Sequence, residues 1–300
     1  MLVIGAGGAG VMAAVEAERA GASVIVASKE PLGYGDTRIA LGIMSTSPDA
    51  ASGDSEEAFV EDMIRGGEYL NDPKLVRALV GDAMDATLTV EGFGHIFSRD
   101  AEGVLNRMAL PPGGHRASRA ISSSWLGVSL CHALRSAAAR ASIEVLEETV
   151  CSELLVLDGE VVGAAALRMM TGEPVALLAK STVVAAGGGG SLYYPHTDCM
   201  PAVIGDSFGL GLRAGAELVD ITVCALERRE SRGAHVRADF PDHATWSSTS
   251  RSRGSAQSRR SWNRARSTRS SSPAWSVWPA TPPARTTTSR RTRSSARTCS

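Results

Sequence analysis

Three glycines in the opening run "MLVIGAGGAG", Gly5, Gly7 and Gly10, have the spacing G-x-G-x-x-G. That spacing suits a dinucleotide. The first glycine allows a tight turn after a strand, the second lets backbone approach a pyrophosphate, and the third lets the following helix pack closely on the strand. Amides at the helix start then face the phosphates, where the helix dipole favours an anion by about 0.3 to 1 kcal/mol. The bland alternative is three glycines that serve only a tight turn. At the end of the second strand, where a carboxylate usually takes the ribose hydroxyls, the chain has Ser28, followed by Lys29 and Glu30. This weakens a nicotinamide reading more than a flavin one, because a flavin dinucleotide is held along its whole length by several segments.

The other chemically capable residues carry less. None of the six histidines forms a metal-spaced pair, so no metal site is expected. The five cysteines are scattered without a C-x-x-C pair, and read as reduced thiols in a core. The stretch "GGHRASR" (113–119) sets basic groups beside glycines, which could meet an anionic substrate or phosphate, or form a solvated loop.

The elements that must position the glycines follow from periodicity. Leu2–Ile4 is a short apolar strand, Val11, Ala14 and Val15 recur at helical spacing, Gly21 stops that helix, and "SVIVA" resumes a strand. Residues 2–27 therefore make a βαβ unit. Residues 31–54, rich in Gly, Ser, Asp and Pro, read as irregular backbone of the kind that wraps a ligand. A helix is expected in "SEEAFVEDMIRGG" and another after Asp72, with Asp72 as cap, Pro73 at the first position and Gly92 at the end. Short strands "CSELLVL", "VVGAAALRM" and "PVALLAK", separated by Asp158-Gly159 and Thr171-Gly172, form a β-meander. It delivers the chain to a further strand and a second glycine turn, "STVVAAGGGG". A helix then spans "GDSFGLGLRAGAELVD", with Gly205 and Gly209 on one face for close backbone approach. The fold class is α/β, a Rossmann-like parallel sheet with a crossover β-meander.

Composition divides the chain. Residues 247–300 hold 12 Arg, 16 Ser and no Asp or Glu, leaving residues 1–246 with 19 basic and 32 acidic side chains. An acidic globular front thus precedes a basic, low-complexity tail that is expected to be disordered. No apolar stretch approaches the ~20 charge-free residues that cross a bilayer.

With both glycine turns, the meander and the "GDSFG" helix in place, the chain resembles the flavoprotein subunits of succinate dehydrogenase and fumarate reductase, a family that includes L-aspartate oxidase. "VIGAGGAG", "VIVASKE", "GGEYLNDP", "VVAAGGGGSLY" and "GDSFGLGLRAGAELVD" fall in the family's order. The resemblance implies FAD. It implies that Gly5, Ala6, Gly7, Gly8, Ala9 and Gly10 hold the pyrophosphate and that Ser28 and Lys29 serve the adenosine side. Asp36, Thr37, Ala40 and Gly42 would lie along the flavin ring, and Val150, Ala186, Gly187, Gly188 and Asp206 would complete the cradle.

The departures from the family matter as much. Where quinone-linked members place a histidine that tethers FAD, "GYGDTR" has Asp36, so FAD is expected to be non-covalent. The family continues after "ELVD" into a substrate histidine, a capping domain and a proton-donating arginine, whereas here "ITVCALERR" runs into "ESRGAHVRADFPD". That stretch resembles a signature of the family's C-terminal helical domain, with Trp246 matching its tryptophan. The implied organisation is an FAD-binding domain over 1–220 without its capping domain, a helical-domain remnant over 221–246, and the tail over 247–300.

Three lysines against 28 arginines suggest a GC-rich coding sequence, and a shifted reading frame accounts for the tail. Nucleic-acid binding by its arginines and by Trp262, Trp275 and Trp278 is the less favoured reading. The function implied is hydride transfer between flavin and a dicarboxylate, impaired in this chain, with a non-catalytic FAD-binding module or an L-aspartate oxidase-like enzyme as alternatives. Catalytic residues stay unassigned. An iron-sulfur protein is the implied partner of the intact family member, and the location expected is cytoplasmic, peripheral to the inner face of the membrane through partners.

Overall fold

Strand β1 (Leu2–Ile4) turns through residues 5–7 into helix α1 (Gly8–Arg19) and returns as β2 (Ile25–Ala27), parallel to β1 with Leu2 opposite Ile25 and Ile4 opposite Ala27. The computed structural model describes residues 1–45, 54–67, 69–123, 125–218 and 276–278. Strand β9 (Thr182–Val184) lies on the other side of β1 and β5 (Glu144–Leu146) lies beyond β2, giving a parallel sheet in the order β5-β2-β1-β9. Both faces of this sheet are covered, which is why its strands read as unbroken apolar runs.

Successive side chains of a strand point to opposite faces, and the two faces here enter two different cores. Val3 and Val26 pack with Val11 and Val15 of α1 and with Leu134 and Ala137 of helix α4 (Leu126–Arg140). Leu2, Ile4, Ile25 and Ala27 face the other way, onto the antiparallel meander of β6 (Thr149–Leu157), β7 (Glu160–Arg168) and β8 (Glu173–Leu178), where Leu154, Ala164, Val175 and Leu177 meet them. The molecule is thus layered as helices, parallel sheet and meander. Asp158 (φ 50°) and Gly159 (φ 85°) both take the left-handed conformation that a two-residue hairpin turn requires, in keeping with the Asp-Gly signal.

Two helices pack beside this stack. Helix α2 (Glu56–Gly66) is capped by Ser55, whose Oγ accepts from the Ala58 amide at 3.1 Å. Helix α3 (Pro73–Gly92) is capped by Asp72, whose Oδ1 accepts from the Lys74 amide at 2.8 Å. Phe59 and Val60 of α2 bury against Val76 and Val80 of α3. Residues 31–45 are largely irregular as expected, with a 3-10 turn over Asp36–Ile39 and strand β3 (Ile43–Met44), which pairs with β4 (Ala120–Ile121).

The structure differs from expectation in four places. Helix α4 and the β3–β4 pair are additions to the elements expected from periodicity. Helix α5 (Asp206–Arg213) is half the length expected, because Gly215 adopts φ 90° and ends it. Gly205 and Gly209 do not form a packing face: Gly205 (φ 90°) is the turn ahead of α5, and a Cβ on Gly209 would meet only the flexible guanidinium of Arg213. Within the basic tail the described residues form strand β10 (Ser276–Trp278), parallel to β8. The expected helical-domain remnant over 221–246 and the rest of the expected disordered tail lie outside the described residues.

Candidate functional site

The cleft opens where the carboxyl ends of β1, β2 and β9 meet the start of β6, the position at which open parallel sheets take their ligands. Its empty space, open mouth included, is about 830 Å³. Two glycine turns form its floor. Gly5 has φ 104°, and a Cβ there would lie 2.3 Å from the Ala185 carbonyl oxygen, so the first glycine turn abuts the second. Gly10 is pressed against the same turn, since its Cβ would lie 2.0 Å from the carbonyl oxygen of Gly5.

Gly7 is different. A Cβ on Gly7 would find nothing nearer than the Tyr34 carbonyl oxygen at 3.5 Å, an ordinary contact. Helix α1 begins here without a side-chain cap and without an acidic residue in its first turn. The Gly8 amide donates to Thr37 Oγ1 at 2.8 Å, while among the described residues the amides of Gly7 and Ala9 meet no protein acceptor. A helix start left uncapped against an open cleft fits an anionic group such as a pyrophosphate.

Other predicted residues converge on the same cleft. Lys29 and Asp206, 177 positions apart in sequence, form a partly buried ion pair across it. Ser28 is buried, and its backbone ties β2 to the neighbouring layers: its amide donates to the Leu146 carbonyl at 2.9 Å and its carbonyl accepts from the Thr149 amide at 2.8 Å. Asp36 lines the far end, with Oδ1 accepting from the Met200 amide at 2.8 Å. Ala6, Gly8, Ala9, Thr37, Val150, Ala186 and Gly187 (φ 76°) also line the wall.

Gly10, Ala40, Gly42 and Gly188 lie outside the lining and have structural partners instead. The Ala40 carbonyl accepts from the Gly127 amide at 2.9 Å, and the Gly188 carbonyl accepts from the Gly205 amide at 2.9 Å. A Cβ on Gly42 would stand 2.8 Å from the Ile121 carbonyl oxygen. The cleft also includes Tyr34, Thr149, Cys151 and Val203, which sequence reasoning did not single out. Burial pushes the Cys151 thiol up to about 12, making it a neutral part of the wall. Adjacency to predicted residues was the one signal for most of these.

The "GGHRASR" stretch is a loop, exposed at Gly113, Gly114 and Arg116, whose arginines are taken up by carboxylates of the protein itself. Arg119 is fully buried, its Nη2 donating to Asp54 Oδ1 at 2.6 Å and its Nη1 to Asp62 Oδ2 at 2.8 Å, while its guanidinium lies over the Phe59 ring at 4.7 Å. Arg116 reaches the same carboxylate, Nε donating to Asp62 Oδ1 at 2.7 Å. Burial by itself would raise the Asp62 pKa, but the Arg116 amide and the two guanidiniums outweigh it and hold the carboxyl at about 2. His95 is likewise a core histidine, with Nδ1 3.1 Å from Ser129 Oγ. Among the described residues no group of three His, Cys, Asp or Glu side chains could hold a metal ion.

Comparison with known proteins decides the family. The family described as "FAD binding domain" matches residues 1–226, and that described as "Fumarate reductase flavoprotein C-term" matches residues 216–272. The chain belongs to the FAD-dependent succinate dehydrogenase and fumarate reductase flavoprotein family. Its cofactor is FAD.

Among this flavoprotein's relatives, a fumarate reductase (CoM/CoB) component of Methanothermobacter marburgensis is 36% identical over 227 residues, which cover 74% of this chain and 40% of the relative. L-aspartate oxidase of Streptomyces coelicolor is 31% identical over 226 residues, covering 74% of this chain and 38% of the relative. The Mycobacterium smegmatis Sdh1 complex in its apo form superposes with a TM-score of 0.66 at 30% identity, covering 71% of this chain and 38% of that one. The flavoprotein thus spans about 40% of the length of the curated relatives it matches. None of its described helices is long and apolar enough to cross a membrane.

Proposed function

We propose that the chain binds FAD non-covalently in the cleft described above and that its own residues do not complete a dicarboxylate site. In the intact family, FAD when bound would supply two-electron hydride chemistry with a dicarboxylate such as succinate or fumarate. This chain's part is to hold the cofactor. The α1 amides at Gly7 and Ala9 would receive the pyrophosphate, Ser28 and Lys29 would flank the adenosine, and Asp36 and Thr37 would border the ring. Asp36 stands where a tethering histidine would be, which supports the non-covalent mode.

The observation that carries the second half is electrostatic. A dicarboxylate needs cations, and among the described lining residues Lys29 is the one lysine or arginine, already paired with Asp206. The two family matches overlap at 216–226, which supports the reading that the block between cofactor and C-terminal domains is missing here. Partner and location follow the same reading: an iron-sulfur protein would meet the intact family member, and the assembly would sit at the cytoplasmic face of a membrane.

The test is flavin absorbance and turnover of the purified 300-residue chain. Flavin should co-elute with the protein, raise its melting temperature as a ligand of the native state must, and leave completely on acid precipitation. Neither fumarate reduction nor succinate oxidation should be measurable. A colourless chain indifferent to added FAD would refute the cofactor assignment, and turnover of either dicarboxylate would refute the impairment. Oxidation of L-aspartate instead would favour the L-aspartate oxidase-like reading, which the 31% identity to that enzyme keeps in play.

A further inference from the structure

The buried cluster around Arg119 lies away from the cleft, yet it holds the segment that leads out of it. The Arg119 carbonyl accepts from the Ser45 amide at 3.2 Å and from Arg107 Nη1 at 2.9 Å, and Arg107 Nη1 also donates to the Ser45 carbonyl at 2.7 Å. Ser45 directly follows β3, whose Ile43 and Met44 pair with Ile121 and Ala120 of β4. Gly42 is in turn seated against the Ile121 carbonyl. Arg119 therefore anchors, through its own backbone, the strand that runs back to Asp36 and Thr37 at the cleft wall.

One member of the cluster carries an imidazole, a side chain that can take up a proton. Arg119 Nη1 donates to His115 Nδ1 at 2.9 Å, which requires that nitrogen to be unprotonated. The charged groups facing His115 are Arg119 from its own segment, Asp62 from α2, and Asp54 just ahead of α2; the edge of Phe59 completes its surroundings, 5.6 Å between ring centroids. Arg116 and Glu61 bond one another at the rim, and Arg116 also grips Asp62. A proton on Nδ1 would set two donors and two positive charges against each other at hydrogen-bond distance. Arg119 would have to yield, and with it the register of β3 on β4.

We infer that His115 and Arg119 form a proton-sensitive positioning device for residues 36–45, so that acidification loosens this wall of the cleft and weakens cofactor retention. The inference rests on the FAD reading for its functional consequence. Its direction agrees with the local electrostatics: burial and the Arg119 charge lower the His115 pKa against the opposing pull of Asp62 and Asp54. A histidine with a lowered folded pKa contributes stability that is complete above its unfolded value, near 6.5, and that declines as pH falls below it toward the lowered folded value.

The experiment compares the 300-residue chain with His115→Asn, whose amide oxygen can replace Nδ1 as acceptor but cannot be protonated, and with His115→Gln should the shorter side chain fail to fold. FAD dissociation constants are measured from pH 7.5 to 5.5, alongside amide exchange of residues 43–45 corrected for its intrinsic pH dependence. The parent chain should lose affinity as pH falls, up to roughly tenfold for each unit by which the His115 pKa is lower in the FAD-bound chain than in the FAD-free folded chain, and should lose protection at 43–45, while the variant holds both across the range. Parallel pH profiles for parent and variant, or a parent that shows no pH dependence, would overturn the inference. If FAD fails to bind at any pH, the cofactor reading falls, and the exchange at 43–45 still decides whether the device exists.

Discussion

Replacing Gly7 and Gly10 separately by alanine separates ligand binding from folding at the first glycine turn. At Gly10 the added methyl would lie 2.0 Å from the Gly5 carbonyl oxygen, which is backbone and cannot swing aside, so α1 must move off β1. Overpacking of this kind costs about 1 to 3 kcal/mol, or more where backbone blocks relaxation. At Gly7 the nearest protein atom would be 3.5 Å away and φ is −73°, which alanine adopts freely. The loss of an N-cap glycine and the gain from a less flexible unfolded chain are each below about 1 kcal/mol and oppose one another. Gly7→Ala should therefore leave the FAD-free protein within about 0.5 kcal/mol of the parent by urea titration.

Cofactor binding should respond differently. A methyl on Gly7 would fill the space over the free amides of Gly7 and Ala9, and each lost charge-assisted bond is worth about 1.5 to 3 kcal/mol. One lost bond corresponds to a roughly 10- to 100-fold weaker dissociation constant. Gly7→Ala should thus appear as a folded chain that has lost its flavin, and Gly10→Ala as a chain that has lost stability and flavin together. Unaltered FAD affinity in Gly7→Ala would refute the placement of the pyrophosphate at the start of α1.

Lys29→Met should weaken FAD binding and Asp206→Asn should leave it equal or tighter, because the first leaves a bare carboxylate facing an anionic cofactor and the second frees a cation. Each effect is on the order of 1 kcal/mol and should shrink at high salt, as titrations at low and high ionic strength would show. Asp62→Asn should destabilise the chain by about 3 to 5 kcal/mol in urea, because it leaves the buried Arg119 with one carboxylate in place of two. In the parent, the Asp62 carboxyl falls from 3.8 to about 2 on folding, so its contribution is complete above 3.8 and is lost as pH falls through about 2. That contribution is roughly 2 kcal/mol and should be missing from the acid limb of the Asp62→Asn stability profile.

What the sequence made legible is what chain neighbours decide among themselves. The Asp72-Pro73 helix start and the Asp158-Gly159 turn depend on φ preferences and on bonds spanning a few residues, and both stand in the structure as expected. The βαβ unit was legible for the same reason. Helix α4 was readable too, since Cys131, Leu134, Ala137 and Ala138 keep helical spacing, but no glycine motif drew attention to it. The "GGHRASR" arginines could not be read, because their meaning lies in carboxylates that α2 and its approach bring from 54 or more positions away. Basic residues beside glycines look alike in sequence whether they await an anion or already hold one.

The opening glycine pattern shows the same division at finer grain. Gly5 and Gly10 are required by the protein itself, one for its φ of 104° and its contact with Ala185, the other for its contact with Gly5. Neither position by itself distinguishes a bound dinucleotide from a tight strand-to-helix turn. Gly7 alone has no such internal reason, since its surroundings have room for a methyl. The ligand information in G-x-G-x-x-G therefore sits at its middle glycine, together with the uncapped amides beside it. A turn with the outer two glycines and a side chain at the middle would keep this fold and lose its cofactor.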